Sequence, residues 1–309
     1  MIETAEASID EFIFASKTRK NPVGKQRHVV DAFRTVFWFH LLRINSGARS
    51  TYQMDQLLEN HQNKNEERAP DCKNKWRSYR IGRHTPSSAL VHHIALSHKD
   101  SHAALNHIFW ETLRLDQPIS RHADFWLSQL HPEVQIVIYK HGNTFRLGKS
   151  IDETLNRTQL SMLERRAGLD ALACLTILLR KTADAGNSSL AQSLARNLCR
   201  MLLILAPLLA RAGINRPLVQ YIEQEILPLA SHNDLQYGFG GDGYRSTARR
   251  LTFIANCIKG DENRGFTISE SIALRIDLLD GRRGDIFPDA VITKPTTIEL
   301  AEAELRTKA

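Results

Sequence analysis

Residues 73–83, KNKWRSYRIGR, concentrate the side chains of this chain that are best suited to bind an anion. The stretch contains five basic residues and no acidic residue; the basic ones are Lys73, Lys75, Arg77, Arg80 and Arg83. Trp76 and Tyr79 lie among them, three positions apart. Arginine can donate two hydrogen bonds to a guanine edge, and basic side chains also pair with phosphate oxygens. The stretch therefore predicts either a helix that binds nucleic acid or a solvated basic surface.

A helical conformation would separate these side chains onto two faces. At about 100° per residue, Trp76 and Tyr79 share one face, and we predict that this face packs against helices at 28–45 and 51–59. The opposite face carries the three residues that we predict to contact base edges, which are Asn74, Arg77 and Ser78. Lys73 and Lys75 lie at the flanks of this face. The residues that we predict to contact phosphates are Lys73, Lys75, Arg80 and Arg83. Asp71 is a plausible N-cap, and Gly82 would end the helix.

The order of residues after this helix matches a known DNA-binding motif. The aromatic pair is followed by Gly82, then Arg83, then Pro86 and Ser87, and then the apolar segment ALVHHIALS. This order resembles the back half of the helix-turn-helix of phage repressors (Cro-like, XRE-type), and the resemblance covers about residues 28–98. It implies that the helix at 71–81 enters duplex DNA, that the chain works as a homodimer, and that the setting is bacterial or phage. The chain departs from that family at 61–70, where ten polar residues replace a very short turn.

The surrounding pattern predicts a mostly α protein. Residues 28–45 carry apolar side chains at helical spacing and end before Ser46-Gly47, and Ser87 is positioned to cap the next helix. Residues 134–149, VQIVIYKHGNTFRLGK, alternate around a turn and predict a small β-hairpin. We assign residues 1–130 to a helix-turn-helix-like DNA-binding domain.

From about residue 152 the chain becomes rich in leucine and alanine. Helices are predicted near 154–182, 188–212 and 217–231, packed as an antiparallel bundle. We assign residues 150–309 to a helical domain for oligomerisation or signal reception. A glycine-rich loop is expected at 237–246, and a short helix is expected after Pro295 with Thr296 and Glu299 in capping-box spacing.

Composition limits the alternatives. The 309 residues are 42% hydrophobic and 24% charged, which is ordinary for a soluble folded protein, and a net charge of +7 permits an anionic partner. Four scattered cysteines without a CxxC pair indicate a reducing compartment. The acidic N-terminus lacks the apolar core of a signal peptide, and the longest apolar run, 201–210, is too short to span a bilayer. We therefore expect a cytoplasmic protein with no membrane partner.

Other chemistry is weakly represented. His98 and His102 have the spacing of two metal ligands, but no HExxH or cysteine pair accompanies them. The loop YGFGGDGYRS lacks the order of a nucleotide-binding P-loop, and no GxSxG is present. We predict no catalytic residue, no metal site and no cofactor. The favoured function is sequence-selective DNA binding by a transcriptional regulator. The alternatives are a non-enzymatic helical interaction protein with a protein or RNA partner and, third, an enzyme acting on nucleic acid.

Overall fold

The structure is a computed structural model, and it describes residues 27–59, 72–139, 155–233, 235–240, 243–261, 265–287 and 290–295. Over these residues the chain is mostly helical, with one two-stranded antiparallel sheet, so the predicted fold class is confirmed. Contacts divide the chain into two compact units. The first comprises Met1–Trp110 and Leu208–Leu218, and the second comprises Glu111–Pro207 and Val219–Ala309.

Short helices make up the first unit. They are α1 (Val29–Asn45), α2 (Thr51–Glu59), α3 (Cys72–Arg80), α4 (Ser88–Ser97), α5 (Asp100–Leu105) and α6 (Ile108–Thr112), the last of which continues past the boundary of the unit. The helices predicted at 28–45, 51–59 and 71–81 are therefore confirmed to within one residue at each end. Ser87 caps α4 as predicted, because its hydroxyl accepts a hydrogen bond from the Leu90 amide at 3.3 Å.

The remaining helices and the sheet belong to the second unit, except that residues 208–218 fall in the first. The helices up to residue 221 are α7 (Ile119–Ser128), α8 (Pro132–Ile138), α9 (Arg157–Arg165), α10 (Leu169–Asp184), α11 (Ser188–Arg211) and α12 (Asn215–Tyr221). Alpha-helix α12 continues into a π turn, Ile222–Ile226, and a 3₁₀ turn, Leu227–Ala230. Strand β1 (Leu235–Phe239), α13 (Tyr244–Asp261), α14 (Ile268–Leu279) and strand β2 (Val291–Pro295) follow. Helix α7, which the sequence analysis placed in the N-terminal domain, falls in this unit by its contacts.

The β-hairpin predicted at 134–149 is wrong over its first arm. Residues Pro132–Ile138 form α8, and 140–149 lie outside the described residues. A helix forms here because His131 caps it and Pro132 occupies its first turn. Its buried residues also have helical spacing, and they are Val134, Val137 and Ile138. The side chain of Gln135 also donates to the carbonyls of Ser128 and Leu130, which an extended strand would not place within its reach.

Two further expectations for the second unit need correction. The single helix predicted at 154–182 is two helices, α9 and α10, separated at 166–168, where Gly168 is extended. Residues 237–239 of the predicted glycine-rich loop belong to β1, which pairs with β2 in the register Leu235 to Pro295. The short helix predicted after Pro295 lies outside the described residues.

Helix α11 is long and apolar enough to cross a membrane by length and composition alone. Its most apolar window has a mean hydropathy of 1.4, and 61% of that window is buried inside the protein. The mostly buried core helix of a soluble protein has the same properties, so the observation is a weak argument for a membrane span. The absence of a membrane partner stays a prediction.

Candidate nucleic-acid interface

The inner face of α3 is anchored by its two aromatic rings. Trp76 is 1% exposed and Tyr79 is 6% exposed, as the sequence analysis predicted. The Trp76 ring stacks on Trp38 of α1 with centroids 5.9 Å apart and an interplanar angle of 13°, and Tyr79 meets the same Trp38 edge-on at 5.8 Å. Met54 and Leu58 of α2 belong to the same buried cluster. Helix α3 is therefore held against both preceding helices through side chains that face away from its basic residues.

A glycine motif fixes the C-terminal end of α3. Gly82 has a φ of +67°, its amide donates to the Tyr79 carbonyl at 3.0 Å, and the Arg83 amide donates to the Ser78 carbonyl at 2.9 Å. This is the Schellman arrangement, in which a left-handed residue satisfies the last helical carbonyls. Gly82 also lies against Ala32 of α1, so closely that a Cβ at position 82 would stand 3.0 Å from the Ala32 Cβ. The turn that carries Arg83 is thus set by direct contact with α1.

A half-buried arginine also holds this turn. Arg27 donates hydrogen bonds to the carbonyls of Gly82 and Asp31 and to the hydroxyls of Thr35 and Thr85. Burial lowers the pKa of Arg27 to about 10, so the guanidinium stays charged at neutral pH. The sequence analysis did not find this residue, because nothing distinguishes it from the other basic residues of the segment SKTRKNPVGKQR.

The predicted DNA-contacting residues fall into three groups. Arg77, Arg80 and Arg83 are exposed, and within the part of the chain that the structure describes none of them forms an ion pair or a side-chain hydrogen bond. Ser78 and Lys75 are half-buried, and Lys75 already has an interaction within the chain. The backbones of Asn74 and Lys73 lie in α3, but their side chains are outside the described set. Three of the seven predicted residues are therefore exposed cations that have no partner among the described residues.

A buried histidine lies behind this surface. His40 of α1 is 8% exposed, and neither ring nitrogen has a hydrogen-bond partner among the residues that the structure describes. Burial, together with the positive charges of Arg43 and Arg80, lowers the pKa of His40 to about 4. Gly213 packs on the ring so closely that a Cβ there would stand 2.8 Å from two ring atoms. His40 is consequently neutral at physiological pH and acts as a packing residue.

Other candidate chemistry in the first unit is sparse. The described residues contain no group of three or more histidine, cysteine or acidic side chains that could hold a metal ion. The ring of His102 lies 3.2 Å from the side-chain amide nitrogen of Asn106, which gives that histidine a local partner.

In the second unit, Cys174 and Cys199 are buried, and burial raises the pKa of each thiol well above its usual range. These groups are therefore not suited to nucleophilic or metal chemistry at neutral pH.

Comparison with known proteins adds no relative: no family model, no curated protein and no solved structure matches this chain. No residue role can therefore be carried over from a characterised protein. The functional argument depends on the geometry and charge of the surface around α3.

Proposed function

We propose that this chain is a sequence-selective DNA-binding protein, a transcriptional regulator that places α3 in the major groove of duplex DNA. The observation that carries the proposal is the two-sided character of this helix. Trp76 and Tyr79 are buried on one side, whereas Arg77 and Arg80 of the helix and Arg83 of the following turn are exposed and have no partner among the described residues. A helix is the element that fits the major groove, and unpaired arginines are the side chains that most often contact guanine and phosphate there.

The uncompensated charge favours a polyanionic partner. Some other arginines of the chain have a carboxylate partner, as in the contacts of Arg34 with Asp31 and of Arg200 with Glu164. The three arginines of α3 and its turn have no such carboxylate among the described residues. Because duplex DNA carries regularly spaced phosphates, each neutralised phosphate would release condensed counterions and contribute to binding.

Rigidity is the second support for the proposal. Stacking on Trp38 fixes the rotation of α3, and Gly82 fixes where it ends. Arg27 links the following turn to α1, with two hydrogen bonds to the turn and two to α1. A preorganised surface loses little conformational freedom on binding, so more of the contact energy is retained as affinity.

Within the proposal the residues have different roles. Arg77, with Asn74 and Ser78, would contact base edges, and Lys73, Lys75, Arg80 and Arg83 would contact phosphates. The chain would bind as a homodimer, since helices of this kind commonly act in two-fold pairs on two half-sites.

The test begins with selection of bound sequences from a pool of random duplexes by the full-length protein. Binding to the selected duplex and to a scrambled duplex is then titrated at several salt concentrations. Arg77→Ala should cost about 1–3 kcal/mol on the selected duplex and reduce discrimination. Arg83→Ala should weaken both duplexes equally and flatten the salt dependence by roughly one unit of slope.

Arg121→Ala is the matched control, because Arg121 is an exposed arginine of α7 without an ion pair among the described residues. It should leave both titrations unchanged. If the wild type binds no duplex at low salt, or if Arg77→Ala and Arg83→Ala behave like the control, α3 is a solvated basic surface. The helical interaction protein then becomes the better description. A selected sequence without two-fold symmetry would argue against the homodimer alone.

A further inference from the structure

The second unit contains a cleft that the DNA-binding proposal does not use. Its volume is about 790 Å³, which lies within the range of small-ligand sites, roughly 300–1,000 Å³. One wall is α9 and the facing wall is α11. The turn after α14 and Tyr237 of strand β1 complete the lining.

Helical spacing explains why so many polar side chains meet there. On α9, the lining residues Arg157, Ser161 and Arg165 are four positions apart and therefore share one face. On α11, Ser193 lies three positions before Arg196 and four before Asn197, so these lining residues also lie on one side of their helix. The ion pair of Arg200 with Glu164 joins the two helices, and these polar side chains line the cleft on both.

The acidic side chains of the cleft are already neutralised by two of its arginines. Arg200 donates to both oxygens of Glu164, at 2.6 and 3.1 Å, and to Asp280 at 2.6 Å. Arg282 pairs with Asp280 at 2.6 Å and with Asp277 at 3.1 Å. Burial alone would lower the pKa of Arg200. The hydrogen bonds and negative charges of Glu164 and Asp280 outweigh this effect, so the pKa of Arg200 is raised. These contacts join α9, α11 and the end of α14. Both carboxylates that line the cleft, Glu164 and Asp280, are therefore already paired with arginines of the protein.

The remaining arginines are not compensated. Arg157, Arg165 and Arg196 line the cleft, are exposed, and have no ion pair or side-chain hydrogen bond among the residues that the structure describes. Five arginines therefore face two carboxylates in one concave site. Three unpaired guanidinium groups on two facing helices match a ligand with several negative charges better than a single carboxylate, which one arginine could satisfy.

We propose that this cleft binds a small ligand that carries a chain of two or more phosphate groups. Arg165 and Arg196, on opposite walls, hold the phosphates through charge-assisted hydrogen bonds, and Arg157 contributes further charge at the start of α9. Two sources share this chemistry, a free polyphosphate and the phosphate chain of a nucleotide, and for the latter the half-buried Tyr237 offers a ring against which a base can pack.

The experiment is calorimetric titration of the full-length protein with sodium tripolyphosphate and, separately, with ATP in the absence of divalent cations. Wild-type protein should bind at least one of them, and the double variant Arg165→Ala/Arg196→Ala should lose roughly tenfold or more in affinity for each arginine removed. Arg196→Lys, which keeps the charge but loses the planar fork, should be weakened by less than Arg196→Ala. Arg121→Ala serves again as the control and should bind like the wild type.

The two ligand arms identify the source. Tighter binding of ATP assigns a nucleotide, and equal or tighter binding of tripolyphosphate assigns the phosphate chain itself. The proposal is overturned if the wild type binds neither probe at millimolar concentration, or if the double variant binds as tightly as the wild type. Because the substituted arginines are exposed, the variants should unfold at the same temperature as the wild type. A loss of binding can then be distinguished from a loss of folding.

Titrating the same double variant with duplex DNA tests the ligand site separately from the proposed DNA-binding function. Unchanged duplex affinity together with lost polyphosphate affinity supports a separate site. Loss of duplex affinity in a protein that binds no polyphosphate would overturn the ligand site and would assign the cleft to the DNA surface instead.

Discussion

Replacing Gly82 by alanine tests the contact that fixes α3 on α1. The substitution has two effects that can be separated. One is conformational, because a φ of +67° is unfavourable for an L-residue with a Cβ. The other is steric, because the new Cβ would stand 3.0 Å from the Ala32 Cβ and 3.1 Å from both the Ala32 Cα and the Ala32 carbonyl oxygen.

The structure contains a position that shows the conformational effect alone. Gly186 ends α10 with a φ of +70°, and it has the same pair of Schellman hydrogen bonds, from its own amide to Ala183 and from the Asn187 amide to Thr182. No atom lies within 4 Å of a Cβ built there. Gly186→Ala should therefore cost about 1–2 kcal/mol, the ordinary penalty of the left-handed region.

Gly82→Ala should cost more than this by an amount that reflects the contact. Two of the three close atoms belong to the backbone of α1, so the clash can be relieved only if one helix end moves. Overpacking of this kind typically costs about 1–3 kcal/mol. The total for Gly82→Ala is thus about 2–5 kcal/mol, and affinity for DNA should fall as well if α3 shifts.

Urea unfolding, followed by tryptophan fluorescence, measures both variants. A second substitution, Ala32→Gly, removes the nearest atom but not the backbone atoms, so it should restore only part of the loss. If Gly82→Ala proves no more destabilising than Gly186→Ala, the close packing of Gly82 on Ala32 does not constrain α3, and the argument for a rigid basic surface fails.

Two other predictions follow from the core of the first unit. Trp76→Ala should lower the free energy of unfolding by roughly 3–5 kcal/mol. The control is Tyr52→Ala, at a ring that is 58% exposed, which should change it by less than about 0.5 kcal/mol. Equal effects of the two variants in urea unfolding would contradict the packing of Trp76 in the core. The folded-state pKa of His40, about 4, lies below the ordinary 6.5, so folding favours the neutral ring. Stability is then fully present above pH 6.5 and is lost as the pH falls toward 4, by up to ~3 kcal/mol. Urea midpoints between pH 4 and 7 measure this loss; an unchanged profile in His40→Gln would show that another group is responsible.

The helices around α3 could be predicted from sequence because their signals are local. Apolar spacing, the Gly82 stop and the Ser87 cap all act within one or two turns, and the burial of Trp76 and Tyr79 follows from their three-residue separation. The hairpin prediction failed where local signals conflict. Alternating valine and isoleucine at 134–138 also fits a helix once His131 and Pro132 start one.

Features that depend on distant residues could not be predicted in this way. Arg27 meets Gly82 and Thr85 across more than fifty positions, and β1 pairs with β2 across a similar distance. The cleft shows the same limit. Arg165 and Arg196 look like ordinary exposed residues of two helices, and only the packing of α9 beside α11 and of α9 against α14 gathers them with the pairs of Arg200.

The division of the chain into units has a consequence for synthesis on the ribosome. The first unit needs Leu208–Leu218, a segment that emerges about a hundred residues after Trp110. Until Gly213 covers the His40 ring, that histidine is open to water and the unit lacks part of its packing. Since domains generally fold as units during translation, the first unit can complete its packing only after residue 218 has left the exit tunnel. A fragment that ends at Trp110 would lack residues 208–218 permanently, as the nascent chain does until they have been synthesised.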